Sequence, residues 1–223
     1  MDELHALIVA GGTGNRMNSD IPKQFMLLNN KPVLMQTILQ FIKFDPNINI
    51  ILVLPIVQIE IWQRLCKDHH FEIKHHLVAG GQVRFQSVKN GLDAISENGI
   101  VFIHDGVRPL VSQATIQRCL DTACEKGNAV PVLPLIESLR QIENENNKMV
   151  DRSQFVTIQT PQVFSVKEIK AAYKLGFDPA FTDDTSVLER TGASIHLVDG
   201  NRENIKITHP IDFLIAEALM KQV

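Results

Sequence analysis

Four short apolar runs, Leu4–Ala10, Ile48–Leu54, Ile100–His104 and Ala129–Leu133, recur along the chain, each followed by a segment of different rhythm. None of them alternates strictly between apolar and polar residues, so each describes a strand covered on both faces rather than one with a wet side. The segments between them repeat with a helical period. After Lys31-Pro32, the side chains of Val33, Leu34, Ile38, Phe41 and Ile42 share one face until Asp45-Pro46 ends the helix. Val57–His69, Gln82–Ser96 and Ala114–Glu125 read as helices too, and Glu72–Val78 as a strand. Strands alternating with helices of this length predict an α/β fold: a mostly parallel sheet flanked by helices on both faces. Past Ser165 the pattern resumes with a helix, another from Asp183, the strand Ser194–Val198 and a closing helix over Ile211–Lys221.

In such sheets ligands sit at the carboxyl ends of the strands. Three loops fall there: Gly11–Arg16, Gly80-Gly81 and Asp105–Pro109. The first holds Gly11, Gly12 and Gly14, with Arg16 and Lys23 following and Pro22 stiffening the approach. Glycines let backbone N–H groups come close to an anion, and fixed cations neutralise it, so this loop points to a polyphosphate. Two common phosphate loops are excluded. No Gly-Lys-Ser/Thr closes a P-loop, and Met17 stands where a dinucleotide fingerprint needs its third glycine, which removes a nicotinamide-dependent oxidoreductase.

The chain has 223 residues, enough for one substantial core with or without an appendage, and no Pro-, Gly- or Ser-rich linker divides it. Its 22 basic and 25 acidic side chains create no overall field for nucleic acid or a membrane surface. The anion site is therefore local. Cys66, Cys119 and Cys124 form no paired framework, no apolar stretch reaches the length of a membrane span, and no charged-then-apolar leader precedes the first strand. These features predict a soluble cytoplasmic protein. His69-His70 and His75-His76 invite a metal reading, but adjacent pairs on a helix end and a strand do not supply tetrahedral spacing, so no metal ligand is assigned.

One segment breaks the rhythm. Residues 135–160 place Glu143-Asn-Glu-Asn-Asn-Lys148 between two strand-compatible flanks, Ser138–Ile142 and Phe155–Ile158. Composition alone leaves a solvated loop and a hairpin projecting from the sheet equally open.

Several motifs in order along the chain resemble the 2-C-methyl-D-erythritol 4-phosphate cytidylyltransferases of the non-mevalonate isoprenoid pathway. They are Ala10-Gly-Gly-Thr-Gly-Asn-Arg-Met17, Pro22-Lys-Gln-Phe25, Gly80-Gly81 with Arg84 and Ser87, His104-Asp-Gly-Val-Arg-Pro109, Glu137-Ser-Leu-Arg140, Gln159-Thr-Pro-Gln162, Thr182-Asp-Asp184 and Glu203-Asn-Ile-Lys-Ile207. The resemblance implies a single Rossmann-like domain over 1–223 of the nucleotidyltransferase fold, with 135–160 as a β-hairpin dimerisation arm reaching over the other subunit's site. It implies that the phosphate of methylerythritol phosphate attacks the α-phosphorus of CTP and releases pyrophosphate. Arg16 and Lys23 then match the residues that stabilise the α-phosphate transition state. Lys206 and Arg152 match those that position the attacking phosphate. Ala10, Gly11, Gly12, Gly14, Gly80, Gly81, Gln82 and Ser87 match the nucleotide-binding segments, and Asp105, Arg108, Ser138 and Thr160 those that bind the polyol phosphate. Mg²⁺ is implied as a cofactor carried mainly by the CTP phosphates.

The chain departs from the family pattern at Gln82, where an acidic residue is usual, and at Ser138, where threonine is usual. A cytidylyltransferase acting on ribitol 5-phosphate shares the glycine loop and Pro-Lys-Gln, but Pro134-Leu-Ile-Glu-Ser-Leu-Arg140 looks more like the methylerythritol enzyme. A non-catalytic nucleotide-binding regulator is the alternative of another class. It has no need of Arg16, Lys23, Arg152 and Lys206 together.

Overall fold

The computed structural model describes residues 3–11 and 21–221. Strand β1 (Leu4–Val9) is followed by a short antiparallel pair, β2 (Leu27–Leu28) and β3 (Lys31–Pro32). Asn29 and Asn30 join that pair with φ of 47° and 62°, the left-handed backbone such a two-residue turn demands. Next come α1 (Val33–Phe44), β4 (Asn49–Leu54), α2 (Ile56–Asp68), β5 (His76–Ala79), α3 (Arg84–Asp93), β6 (Ile100–Asp105), α4 (Gln113–Lys126) and β7 (Asn128–Pro134). The second half contains β8 (Leu139–Glu143), β9 (Asn146–Val150), β10 (Val156–Ile158), β11 (Gln162–Ser165), α5 (Val166–Tyr173), α6 (Asp184–Glu189), β12 (Leu197–Asp199) and α7 (Pro210–Met220).

The main sheet runs β10-β7-β11-β6-β1-β4-β5, with β12 also paired to β7. Pairings β1–β4, β1–β6, β4–β5 and β7–β12 are parallel, whereas β11 lies antiparallel to both β6 and β7. Burial on both faces explains the unbroken apolar runs. In β1, Ala6 and Ile8 join a cluster with Leu34, Ile38 and Phe41 of α1 and Ile116 of α4, while Leu7 points the other way, among Val88 of α3 and Ile169 of α5. Burying each such side chain contributes roughly 1.5–3 kcal/mol, so a polar replacement on either face would be costly. No described helix is long and apolar enough to cross a membrane.

Several predicted elements change in detail. The strand expected over Glu72–Val78 contracts to β5, because His75 donates from Nδ1 to the carbonyl of Ile73 (2.7 Å) and accepts the indole N–H of Trp62 (2.9 Å). That local bond turns the ring inward and takes the backbone out of the ladder. The helix expected from Gln82 starts at Arg84, since the Gly81 and Gln82 N–H groups are held by Ser87 Oγ and Gln86 Oε1 instead. The strand expected over Ser194–Val198 is β12, shifted towards Asp199.

Segment 135–160 contains a hairpin whose first strand is the flank expected over Ser138–Ile142 and whose second is not the flank expected over Phe155–Ile158. β8 pairs with β9, Leu139 opposite Val150, through a tight turn in which Asn144 has φ 53°. Phe155–Ile158 does not return along β8; residues 156–158 pair with β7 as β10. The segment after Asn204 is not a strand, although Ile207 is buried and Lys206 exposed as strand alternation would require. Ile207 N–H donates to the carbonyl of Val107, which anchors that segment beside the 105–109 loop.

Candidate active site

A cleft of about 290 Å³ opens where β1 and β6 end and α3 begins. Ala10 and Gly11 line it from the end of β1, Gly81 and Gln82 from the loop after β5, Arg84 and Ser87 from the first turn of α3, Asp105 from the end of β6, and Lys23 and Lys206 from two connecting segments. A larger concavity, about 690 Å³, lies at the amino ends of β1, β4 and β5 beside His5, Asn49 and His76. Open α/β sheets bind ligands at the carboxyl ends, and only the smaller cleft collects the predicted cations and glycines.

Local structure explains how each side chain is held. Lys23 opens a single 3-10 turn, Lys23–Phe25, that follows Pro22. Its neighbours pin the turn: Phe25 stacks on Trp62 with centroids 6.1 Å apart, and Gln24 donates to the carbonyl of Ala10 (3.0 Å) and to Gln58 Oε1 (2.7 Å). The cation and the end of β1 are thereby tied together. On the opposite wall, Gly81 allows the backbone to fold tightly against α3. A Cβ there would run into Gln86 Cβ.

Asp105 is the only described carboxylate among the cleft-lining residues. Its Oδ2 receives Arg108 Nε and Lys206 Nζ, each at 3.1 Å. Burial alone would raise this carboxyl; Lys206, Arg108 and Arg84 outweigh burial and hold it well below the usual carboxylate range. It therefore remains an acceptor for hydroxyl donors at neutral pH and well below it. Behind it, Thr160 Oγ1 accepts the Asp105 N–H (3.1 Å).

Arg84 reaches across to α6. Its two terminal nitrogens meet both oxygens of the fully buried Asp184, which also accepts the hydroxyl of Tyr173 (2.6 Å). Gln162 Oε1 receives the N–H groups of Asp184 and Thr185, so the start of α6 is fastened to β11 as well.

A profile of the 2-C-methyl-D-erythritol 4-phosphate cytidylyltransferase family (IspD) matches residues 4–222. The chain belongs to this family. The enzyme of that name from Bacteroides fragilis is 49% identical over 215 residues, covering 96% of this chain and 98% of that one. The Bacteroides thetaiotaomicron enzyme is 48% identical over 214 residues, with 96% and 98% covered. Among solved structures, the cytidylyltransferase of the same name from Thermus thermophilus superimposes with a TM-score of 0.80 at 30% identity, covering 98% of this chain and 99% of that one. As a cytidylyltransferase of this family, the chain transfers the cytidylyl group of CTP to 2-C-methyl-D-erythritol 4-phosphate, giving CDP-methylerythritol and pyrophosphate.

The cytidylyltransferase fold gathers Ala10, Gly11, Lys23, Gly81, Gln82, Ser87, Asp105 and Lys206 on one cleft, with Gly80, Arg108 and Thr160 directly behind it. Gly12, Gly14 and Arg16 lie outside the described residues. Ser138 and Arg152 do not line the cleft of their own chain; they lie on the 135–160 segment, where Arg152 Nη1 donates to the carbonyl of Ile136. Sequence reasoning missed the pairing of Arg84 with Asp184 and the support that Gln24 gives Ala10. Arg84 and Asp184 each stand in a motif of the family, but an ion pair between distant segments leaves no periodic trace. Gln24 carried a weak signal, a polar residue locked between the cleft lysine and a core phenylalanine.

Proposed function

We propose that the cleft at the ends of β1 and β6 is where the cytidylyl transfer takes place. One observation carries this reading: Lys23, Arg84 and Lys206 line a single cleft with Asp105 and the close-packed Gly81 loop. An oxygen of the methylerythritol phosphate attacks the α-phosphorus, the bond from that phosphorus to the bridging oxygen breaks, and pyrophosphate leaves with the electron pair. Two anions must approach, and further negative charge then builds on the α-phosphoryl oxygens. Positioned cations and backbone donors answer both needs, and no covalent step through the protein is required.

In this assignment Lys23 and Arg16 stabilise the α-phosphate, and Lys206 positions the attacking phosphate. Ala10, Gly11, Gly12 and Gly14 offer backbone groups to the nucleotide phosphates, while Gly80, Gly81, Gln82 and Ser87 form the cytosine side. Asp105 accepts polyol hydroxyls, with Arg108 and Thr160 supporting it. Arg152 and Ser138 come from a second copy. The arm suits such an exchange, because Ile136, Ile142, Met149 and Phe155 are all exposed in the single chain, apolar side chains that a homodimer would cover.

Mg²⁺ fits this cleft as a passenger of CTP. Asp105 already faces two cations, and no group of three or more metal-ligating side chains occurs among the described residues. When bound, the metal supplies charge neutralisation to phosphate oxygens, and the protein's part is to hold those phosphates with Lys23 and the glycine loop. A cytoplasmic location agrees with the lack of a long apolar helix among the described residues.

The deciding experiment is pyrophosphate release from CTP and Mg²⁺ with methylerythritol 4-phosphate and ribitol 5-phosphate side by side, in the wild type and in Lys23→Ala. Release with the first substrate, lost in the variant while CTP still binds, supports the assignment. Turnover unaffected by Lys23→Ala would place the chemistry elsewhere.

A further inference from the structure

His104, the residue before Asp105, is fully buried and lies outside the cleft lining. It belongs to a closed ring of four hydrogen bonds that joins three distant segments. His104 Nε2 lies 3.0 Å from the carbonyl of Arg108. Arg108 Nη1 donates to the carbonyl of Asn204 at 2.8 Å. Asn204 Nδ2 donates to the carbonyl of Thr160 at 2.8 Å. Thr160 Oγ1 lies 2.9 Å from His104 Nδ1 and closes the ring.

The proton positions follow from the partners. A carbonyl only accepts, so Nε2 carries the hydrogen and donates to Arg108. In the neutral ring Nδ1 is then an acceptor, and the Thr160 hydroxyl must donate to it. The Thr160 oxygen is left to accept the Asp105 N–H at 3.1 Å. Both ends of the 105–108 turn are thereby held by one imidazole: directly at the Arg108 carbonyl, and through Thr160 at the Asp105 amide. Burial supports the neutral form, lowering the ring to about 4, and the edge of Phe41 packs against it with centroids 5.1 Å apart.

Two charged side chains of the cleft stand next to this ring in the chain. Asp105 follows His104, Lys206 lies just beyond Asn204, and the two meet in the ion pair at 3.1 Å. We propose that His104 is a positioning residue for the reaction: as the Nε2–H tautomer it locks the turn that aims Asp105, with Arg108 supporting it, at the polyol phosphate, without touching substrate itself. This proposal rests on the reading that Asp105, supported by Arg108, binds that substrate.

Two measurements test it. The first is ¹⁵N NMR of histidine-labelled wild-type protein at neutral pH. A His104 ring with protonated Nε2 and an unprotonated, hydrogen-bonded Nδ1 is expected; an Nδ1–H tautomer or an imidazolium overturns the proposal. The second compares steady-state kinetics of His104→Phe, which keeps the ring packing and loses both hydrogen bonds, with His104→Gln, which can restore the donor to Arg108. His104→Phe should lower kcat/KM for the polyol phosphate about tenfold, the scale of two net hydrogen bonds, while KM for CTP stays within about twofold, and His104→Gln should recover part of the loss. Equal losses for both substrates, or no loss, overturn it. If His104→Phe does not fold, the NMR result on the wild type still decides. Asp105→Asn separates the two readings: polyol-phosphate kinetics unchanged in that variant would refute the role given to Asp105, whereas the NMR result judges the ring independently.

Discussion

Arg84 and Asp184, 100 residues apart in the chain, meet in a two-point ion pair with N–O distances of 2.7 and 2.6 Å. One partner lines the cleft and the other is fully buried at the start of α6. The pair therefore binds the start of α3, just after the Gly81 loop, to a part of the molecule that touches no predicted ligand. A planar guanidinium matches the carboxylate at both oxygens, which a lysine cannot do. The Tyr173 hydroxyl is a third donor to the Asp184 carboxylate, at Oδ1, so the buried charge is well compensated.

Removing the arginine should be costly for that reason. Arg84→Ala leaves the Asp184 carboxylate buried without its cation, and a loss on the order of 3 kcal/mol is expected in urea denaturation. Arg84→Lys should recover part of the stability but not the fixed loop, so its KM for CTP should stay raised. A double-mutant cycle with Asp184→Asn checks the coupling. Additive losses would mean that the pair contributes little.

The loop just before Arg84 gives a second test. A Cβ on Gly81 would press on Gln86 Cβ and come within 2.8 Å of Gln86 Oε1, the atom that holds the Gln82 N–H. Gly81→Ala should therefore push the loop outward and raise KM for CTP roughly tenfold, the equivalent of a typical destabilising substitution. KM for the polyol phosphate should change little. A rise confined to the polyol phosphate would assign the loop to the wrong substrate.

Acid stability should report the buried imidazole. Burial lowers His104 from its ordinary value of 6.5 to about 4, with the hydrogen bond to the Arg108 carbonyl and the charge of Asp105 pulling upward and the Arg108 guanidinium downward. The unfolded chain takes up this proton first, so stability is complete above about 6.5 and falls as the pH drops towards 4, by roughly 3 kcal/mol over the window. Urea midpoints between pH 7 and 4.5 should thus decline less steeply in His104→Phe than in the wild type. His5, also lowered mainly by burial, supplies a residual slope common to both. Identical slopes would show that His104 is not the titrating group.

Much of this architecture is visible in the chain because its causes are local. Leu7 and Ala6 face opposite clusters, so β1 has to be apolar throughout, and a helix such as α1 announces its buried face by spacing. β11 escapes such a reading because only Val163 and Phe164 supply its apolar signal, and its antiparallel place between β6 and β7 depends on partners far along the chain. The flank at Phe155–Ile158 has strand composition, but composition does not say whether β8 or β7 will be its partner. The cleft is legible at Lys23, Gly81, Asp105 and Lys206, where residue type already implies chemistry. The groups that hold them are not. His104, Gln24 and Asn204 look like ordinary loop or strand-end residues until the fold brings their partners within 3 Å or so.

The assembly prediction depends on Arg152. In the single chain it sits on the arm, bonded to Ile136, and lines no part of its own cleft. If it serves the cleft of a second copy, Lys23→Ala and Arg152→Ala homodimers should each be nearly inactive, by about a hundredfold or more for the cleft lysine. A hybrid dimer carries one site with both defects and one with neither. Equal amounts mixed, dissociated and allowed to re-pair should regain about a quarter of wild-type activity, since half the dimers are hybrids with one intact site each. Activity that stays at the mean of the two parents would mean that each chain completes its own site or that the arm does not exchange contacts between copies.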